Sequence, residues 1–84
     1  MNIQVLKNEK NNVELEMDNA TVAEILRVYL YEQGVDFAAW RRDHPSKPLT
    51  FKIESKDKAV KKAVSDAASA IKKDCDKILA LVKK

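Results

Sequence analysis

The sequence predicts a two-layer α+β domain, in which a four-stranded antiparallel sheet carries two helices on one face in the order ββαββα. Two observations lead to this prediction. Apolar and polar residues alternate in four short segments, which is typical of half-buried strands. A stripe of apolar residues with helical spacing follows each pair of these segments. Because the chain has 84 residues, we expect a single domain over residues 1–84.

The composition is that of a folded protein without a membrane span. Hydrophobic residues make up 45% of the chain and charged residues 35%, with one Gly and two Pro, whereas disordered chains are poorer in apolar residues. No apolar run approaches the roughly 18–20 residues of a transmembrane helix, and the first ten residues lack the apolar core of a signal peptide. We therefore expect a cytoplasmic protein. The lone Cys75 agrees, because small secreted domains usually carry several cysteines.

The net charge of +3 is unevenly distributed along the chain. Residues 1–42 hold five Lys or Arg and seven Asp or Glu, a net charge of −2, whereas residues 43–84 hold eleven Lys and six Asp or Glu, a net charge of +5. A basic half is compatible with nucleic acid as a partner. The acidic residues among the lysines weaken that field and are more typical of a solvated helix surface.

The first two strands are predicted to form a hairpin. Ile3–Leu6 is a short apolar segment that ends in the polar stretch Asn8–Asn12. In Val13–Met17 the apolar residues alternate with glutamates, which places apolar side chains on one face of the strand and carboxylates on the other. The hairpin therefore has one face in water.

A helix is predicted from about residue 20 to residue 33. Asp18 or Asn19 could cap its N-terminus, and Thr21-Val22-Ala23-Glu24 fits a capping box. The sequence therefore allows several neighbouring positions for the first residue of the helix. Gly34, the only glycine, stands where a helix can end with a residue at positive φ. The apolar stripe of this helix consists of Val22, Ile25, Leu26, Tyr29 and Leu30.

The middle of the chain predicts a second pair of strands. Residues 35–42 alternate in character and form the third strand, and residues 49–54 alternate again and pair back on it. Between them, residues 43–48 contain both prolines and predict a loop. Six residues are long for a hairpin turn, so the tip of the loop is a candidate contact.

The last helix is predicted to begin after Asp57 and to run to the end of the chain at Lys84. At ~1.5 Å per residue it is about 40 Å long, whereas a globule of this chain length is roughly 30 Å across, so the helix overhangs its own domain. Four apolar residues in the overhang would form a patch that monomers usually avoid, and another chain is the expected cover. These residues are Ile78, Leu79, Leu81 and Val82, and the stripe leading to them is Val60, Val64, Ala67, Ile71 and Cys75.

Catalysis and metal binding have little support in the sequence. His44 and Cys75 are the only His and Cys, too few for the three or four protein ligands of a zinc site. One glycine excludes a Gly-rich phosphate loop. We expect Cys75 to be a small buried hydrophobe and His44 to make a loop or interface hydrogen bond. The row Glu14, Glu16 and Asp18 is interpreted as the solvated face of a strand rather than a cation site. No catalytic residue, metal or cofactor is predicted.

The tryptophan in the third strand leaves two alternatives open. If Phe37 faces the core with Phe51, strict alternation places Trp40 and Arg42 on the open face of the sheet. An aromatic residue beside Arg41 and Arg42 could stack the bases of single-stranded RNA, although such readers usually show two or three aromatics. A protein contact is favoured over RNA, because Trp and Arg are common anchors of protein interfaces.

The most specific pattern in the chain is Phe37 to Pro45 together with Thr21 and Arg27, and it lies within the run from Val35 to Pro45, VDFAAWRRDHP, which follows a helix that contains Ile25-Leu26-Arg27. Together with Thr21 and the long C-terminal helix, it closely resembles the subunit L family of archaeal DNA-directed RNA polymerase. The wider family includes the eukaryotic counterpart in RNA polymerase II and the dimerising domain of the bacterial alpha subunit. The resemblance covers nearly the whole chain in element order.

The resemblance implies a non-catalytic assembly subunit. In this family the L-like chain pairs with a larger D-type subunit through helices of both, and the heterodimer is a platform for the large catalytic subunits. No sequence-specific binding of nucleic acid is implied, and the isolated chain could use the same helices to form a homo-oligomer. Some apolar helix residues must cover the sheet instead, and the sequence does not sort them. The expected partner interface is Leu26, Tyr29, Leu30, Ile71, Cys75, Ile78, Leu79 and Val82, with a secondary contact at Trp40, Arg42, His44 and Pro45.

Overall fold

The chain folds with the predicted elements in the predicted order, as a computed structural model that describes residues 2–83 shows. The four strands form one antiparallel sheet in the spatial order β1-β2-β4-β3, which confirms the α+β class. The elements are β1 (Ile3–Glu9), β2 (Asn12–Met17), α1 (Ala20–Glu32), β3 (Phe37–Arg41), β4 (Leu49–Glu54) and α2 (Val60–Val82).

Strands β1 and β2 form the predicted hairpin, with Glu9 opposite Asn12 and a two-residue turn between them. The register shifts between Val5 and Lys7, where β1 has one residue more than β2. Such a bulge bends an edge strand and increases its twist. The other side of β2 pairs with β4, so β1 and β3 are the two edges of the sheet.

Both ends of α1 follow from its sequence. Asn19 is the N-cap, and its side-chain oxygen accepts a hydrogen bond from the Val22 amide at 3.1 Å. At the other end Gly34 has φ +86°, its amide donates to the Tyr31 carbonyl, and the Val35 amide donates to the Leu30 carbonyl. This pattern is a Schellman motif, in which a residue at positive φ closes the helix.

The start of α2 differs from the prediction. Asp57 is not its N-cap; the helix begins at Val60 after Ala59, whose side chain makes no capping bond. The Val60 amide instead donates to the carbonyl of Lys10 in the β1–β2 turn, at 2.9 Å. A distant segment therefore satisfies an amide that a local cap would otherwise bind. The helix ends at Val82, and the predicted end at Lys84 lies outside the described residues.

The core lies between the sheet and the two helices. From the sheet it receives Leu49, Phe51 and Ile53 of β4, all fully buried, as their alternation with polar residues predicts. The other buried apolar residues are Met17, Ala23, Leu30, Val35, Ala38, Val60, Ala63 and Ala67. The buried residues that the helices contribute include the small Ala23 of α1 and Ala63 and Ala67 of α2.

The predicted facing of β3 is wrong. Ala38 is buried opposite Ile53, and Trp40 packs against the core opposite Phe51, because residues directly opposite in a ladder share a face. Phe37, which was expected in the core, is 40% exposed on the open face. The prediction extended the alternation from Val35 to Phe37. Val35 is buried, but it belongs to the motif that ends α1 and precedes the strand, so its burial does not determine which residues of β3 face the core.

Candidate partner-binding surface

The C-terminal end of α2 extends beyond the core, as the overhang predicts. The last buried residue of the helix is Ala67, and from Cys75 onward every described residue is exposed. The helix spans 23 residues, so at ~1.5 Å per residue about a third of it lies past Cys75. Its four large apolar side chains there are 51–75% exposed, namely Ile78, Leu79, Leu81 and Val82.

The edge strand β1 adds a second uncovered apolar surface. Ile3 lies opposite Met17 and Val5 lies opposite Leu15. Since Met17 and Leu15 face the helices, Ile3 and Val5 face the same side of the sheet. They are nevertheless 48% and 60% exposed, because the two helices do not extend across β1.

An apolar groove lies at the opposite end of α2, beside the β1–β2 hairpin. It has a volume of about 540 Å³ and lies between the β1–β2 hairpin and the first turns of α2. Val13 and Leu15 form its sheet side, and Val60 and Val64 form its helix side. Polar residues rim it at the hairpin turn and at Lys61.

One face of α2 runs from this groove to the overhang. Val64, Ile71, Cys75, Ile78 and Val82 are separated by seven, four, three and four residues, so they share one side of the helix. We call these five residues the α2 stripe. Exposure increases along it, from half-buried Val64 and Ile71 to exposed Cys75, Ile78 and Val82. The expectation that Cys75 is buried is wrong for this chain, because the sheet ends before the helix does.

Helix α1 divides its apolar residues between the core and the surface. Leu30 is fully buried in the chain's own core, so it has no surface to offer a partner, and Leu26 packs against the same core. Ile25 and Val28 are exposed instead. Ile25 and Val28 are not among the contacts predicted from the sequence. The sequence signal for them is that Ile25 and Val28 are apolar and three residues apart, so they are neighbours on the surface of α1.

A hydrogen bond between Tyr29 and Asp74 joins the two helices near the point where α2 leaves the core. The Tyr29 hydroxyl donates to the Asp74 carboxylate at 2.8 Å. This bond, followed by desolvation, raises the pKa of Tyr29, because the carboxylate favours the protonated hydroxyl. The bond adds a polar link to the packing of α1 against α2.

Trp40 belongs to a polar cluster at the outer side of α1. Its indole N–H donates to Glu24 at 3.1 Å, and Arg27 donates to both Glu24 oxygens at 2.8 Å. These hydrogen bonds, from Arg27 first and Trp40 second, lower the pKa of Glu24 to about 2. The open sheet face therefore lacks the stacking tryptophan on which the RNA alternative depended.

The β3–β4 loop holds the remaining predicted contacts. His44 Nδ1 lies 2.8 Å from Ser46 Oγ and accepts a hydrogen bond from the Ser46 amide, which confirms the expected loop hydrogen bond. Arg42 and Pro45 line a shallow polar concavity between this loop and the start of β1. These residues belong to the segment between β3 and β4, and no residue of α2 lines the concavity.

The described residues contain neither a metal cluster nor a membrane helix. Across positions 2–83, no three His, Cys, Asp or Glu side chains are placed to hold a metal ion. Over the same range, neither helix combines the length and the apolar sequence that crossing a bilayer requires.

Comparison with known proteins identifies the family. No curated protein sequence matches the chain significantly. The family model described as RNA polymerase Rpb3/Rpb11 dimerisation domain matches residues 10–80, which is more than four-fifths of the chain. That range includes the apolar lining of the groove, the α2 stripe up to Ile78, all of α1, and both Tyr29 and Asp74. The chain belongs to the RNA polymerase Rpb3/Rpb11 dimerisation domain family.

Proposed function

We propose that this chain is a non-catalytic assembly subunit of a cytoplasmic, archaeal-type DNA-directed RNA polymerase, equivalent to subunit L. It pairs with a D-type, alpha-like chain, and the pair is the platform on which the large catalytic subunits assemble. Family membership supports a dimerisation role in transcription. The resemblance of the run from Val35 to Pro45 supports the finer assignment to subunit L.

The observation that carries the proposal is the exposed apolar end of α2. Contiguous apolar patches of this kind on soluble proteins mark interaction surfaces. Here the patch continues a stripe that begins at Val64, which packs against the domain's own core, so a partner that covers the patch extends an existing hydrophobic layer. The function is then the burial of surface, with no chemical step.

The proposed interface follows the exposure of each predicted residue. The α2 stripe and Leu79 form its centre, and Tyr29 lies beside it on α1. Leu26 is a half-buried support, and Leu30 is removed from the interface because it is fully buried. The exposed residues Ile3, Val5, Ile25 and Val28 extend the surface on either side. A stable pair of this type buries on the order of 2,000 Å² or more, most of it apolar.

The β3–β4 loop is a second proposed contact, made with the large subunits after the heterodimer has formed. Arg42, His44 and Pro45 are all exposed there, and hydrogen bonds link His44 to Ser46 at the tip of the loop. Trp40 does not make this contact itself, because its side chain packs against the core on the helix side of the sheet.

Affinity purification from the native cell tests the proposal. We expect a tagged chain to recover, in equal amounts, a mid-sized partner and two very large chains identified by mass spectrometry. Recovery of the chain alone, or with RNA only, would refute the proposal.

A pair of variants localises the contact. Ile78→Glu combined with Val82→Glu places two charges on the α2 stripe, and we expect it to abolish recovery of the partner. Ser65→Glu combined with Ser69→Glu adds the same charge to exposed positions of α2 away from the stripe. This control should recover the partner normally. Equal recovery by both variants would place the interface elsewhere.

A further inference from the structure

The uncovered side of α2 carries a regular repeat. Ala68 is exposed and lies between Val64 and Ile71, and with it the residues of the α2 stripe are spaced by four, three, four, three and four positions. This is the a/d repeat of a coiled coil, and it continues over residues 64–82. We call the six residues the α2 seam; they are Val64, Ala68, Ile71, Cys75, Ile78 and Val82.

The α2 seam is complementary to itself in the antiparallel direction, because its spacing reads the same from either end. If two copies of α2 lie antiparallel with their centres at residue 73, each seam residue meets a seam residue of the other copy. Val64 then faces Val82, Ala68 faces Ile78, and Ile71 faces Cys75. Each such layer joins an a position to a d position, as in antiparallel coiled coils. The small Ala68 meets the larger Ile78, so the seam fills evenly along its length.

The sheet leaves room for the overhang of a second copy. Val64 forms part of the helix side of the groove, and the strand next to its sheet side is β1, where Ile3 and Val5 are uncovered. In the antiparallel layers the Val82 end of the second helix comes beside Val64, so the overhang of one copy enters the groove of the other. The exchange is reciprocal, because the groove lies at one end of α2 and the overhang at the other.

A parallel pair does not make these contacts. It would place the first turns of the second α2 beside the groove, and the buried residues of those turns, Val60, Ala63 and Ala67, already pack in that copy's own core. The overhang has no such cover, because every described residue from Cys75 onward is exposed. Only the antiparallel direction therefore brings the overhang of one copy to the groove of the other.

We propose that the isolated chain forms a two-fold dimer in which the α2 helices of two copies pack antiparallel along the α2 seam. Both copies use the same surface, as in any isologous interface. The seam is just under three heptads long, which is short for a coiled coil, so we expect dimers above roughly 10 µM and monomers below about 1 µM. This surface is the one that the proposed function assigns to a D-type chain, so the two pairings exclude each other. The inference does not depend on that assignment.

Disulfide formation between copies tests the direction of pairing. In the antiparallel dimer Cys75 is level with Ile71 of the second copy. The two Cys75 residues are four positions apart along the axis, about 6 Å before the distance between the helices is added. Cysteines whose Cα atoms are more than about 7 Å apart are not bridged without backbone movement, so wild-type chains alone should form few disulfide dimers.

Wild-type chain is therefore mixed in equal amounts with a variant that carries Ile71→Cys and Cys75→Ala. The mixture is oxidised at about 50 µM, and the disulfide dimers are identified by mass. We expect the mixed dimer to form at least roughly tenfold more than the wild-type dimer does. A wild-type dimer as the main product would indicate parallel pairing and overturn the inference, and so would the absence of disulfide dimers.

Sedimentation of the isolated chain tests the surface. Ile78→Glu combined with Val82→Glu should weaken self-association at least roughly tenfold, because it places charges in the seam. Ser69→Glu combined with Ala80→Glu adds the same charge on the side of α2 away from the seam, and this control should associate as the wild type does. A wild type that stays monomeric at about 200 µM, or equal association of the two variants, would overturn the inference. Neither experiment needs a polymerase chain. If the tagged chain recovers no polymerase subunit from cells, the proposed function fails, while these measurements still decide the self-association.

Discussion

Ile78→Ala is expected to weaken binding of the partner much more than it lowers the stability of the isolated chain. Ile78 is 62% exposed on the α2 stripe. Full burial of an Ile side chain contributes about 1.5–3 kcal/mol, so the part still in water offers roughly 1–2 kcal/mol to a partner. The cavity that Ile78→Ala leaves in a packed interface adds to this, giving an expected loss of about 2–4 kcal/mol in binding. The isolated chain should lose less than about 1 kcal/mol, because little of the side chain is buried there.

Two measurements on each variant test this reasoning. Urea denaturation of the isolated chain gives its free energy of unfolding, and calorimetric titration with the co-purified partner chain gives the free energy of binding. Ile53→Ala is the matched control: Ile53 is fully buried, and its truncation should cost the isolated chain about 2–5 kcal/mol. Unchanged partner affinity in Ile78→Ala, or a loss of unfolding free energy equal to that of Ile53→Ala, would refute the assignment of Ile78 to an interface.

Three further predictions concern the fold itself. Gly34→Ala should lower the free energy of unfolding by about 1–2 kcal/mol, because φ is +86° and a residue with a Cβ is strained in that backbone conformation. No atom lies within 4 Å of the added Cβ, so a steric clash does not add to this cost. Gly34→Asn should recover part of the loss, and a neutral Gly34→Ala would contradict the argument. The pKa of Glu24 is lowered from 4.5 to about 2, so its pairing with Arg27 stabilises the fold above pH 4.5 and is lost as the pH falls through about 2. Glu24→Gln should therefore unfold at lower urea than wild type at pH 7, with the difference vanishing toward pH 2; a difference independent of pH would contradict this. Ser55→Ala should change stability by less than about 0.5 kcal/mol or increase it, because the buried Ser55 hydroxyl has no hydrogen-bond partner among the described residues, and a loss above about 1 kcal/mol would indicate a partner.

Local patterns were sufficient to predict the elements and most of their orientation. In β4 the alternation of Leu49, Phe51 and Ile53 with polar residues matches their complete burial, because a strand with one face in water repeats every two residues. The bounds of α1 follow from Asn19 and Gly34, whose backbone and side-chain chemistry act within a few residues. The overhang of α2 follows from helix length alone.

The errors arose where distant segments decide the structure. Val35 fits the alternation of a strand, but it is buried by its contact with the end of α1, and the predicted facing of Trp40 is inverted for this reason. The start of α2 depends on a carbonyl of Lys10, some fifty residues earlier in the chain. On α1, Leu30 and Val28 are both apolar, and only the position of the sheet and α2 determines that Leu30 is the buried one.

The thiol of Cys75 tests the central claim most directly. Cys75 is the only cysteine, it is exposed in the chain alone, and it lies in the middle of the α2 stripe. Its modification by a maleimide can be followed from the mass of this chain, both free and in the purified complex. If the partner covers the α2 stripe, the thiol should react readily in the free chain and be protected in the complex. Equal rates of modification in both states would contradict the account.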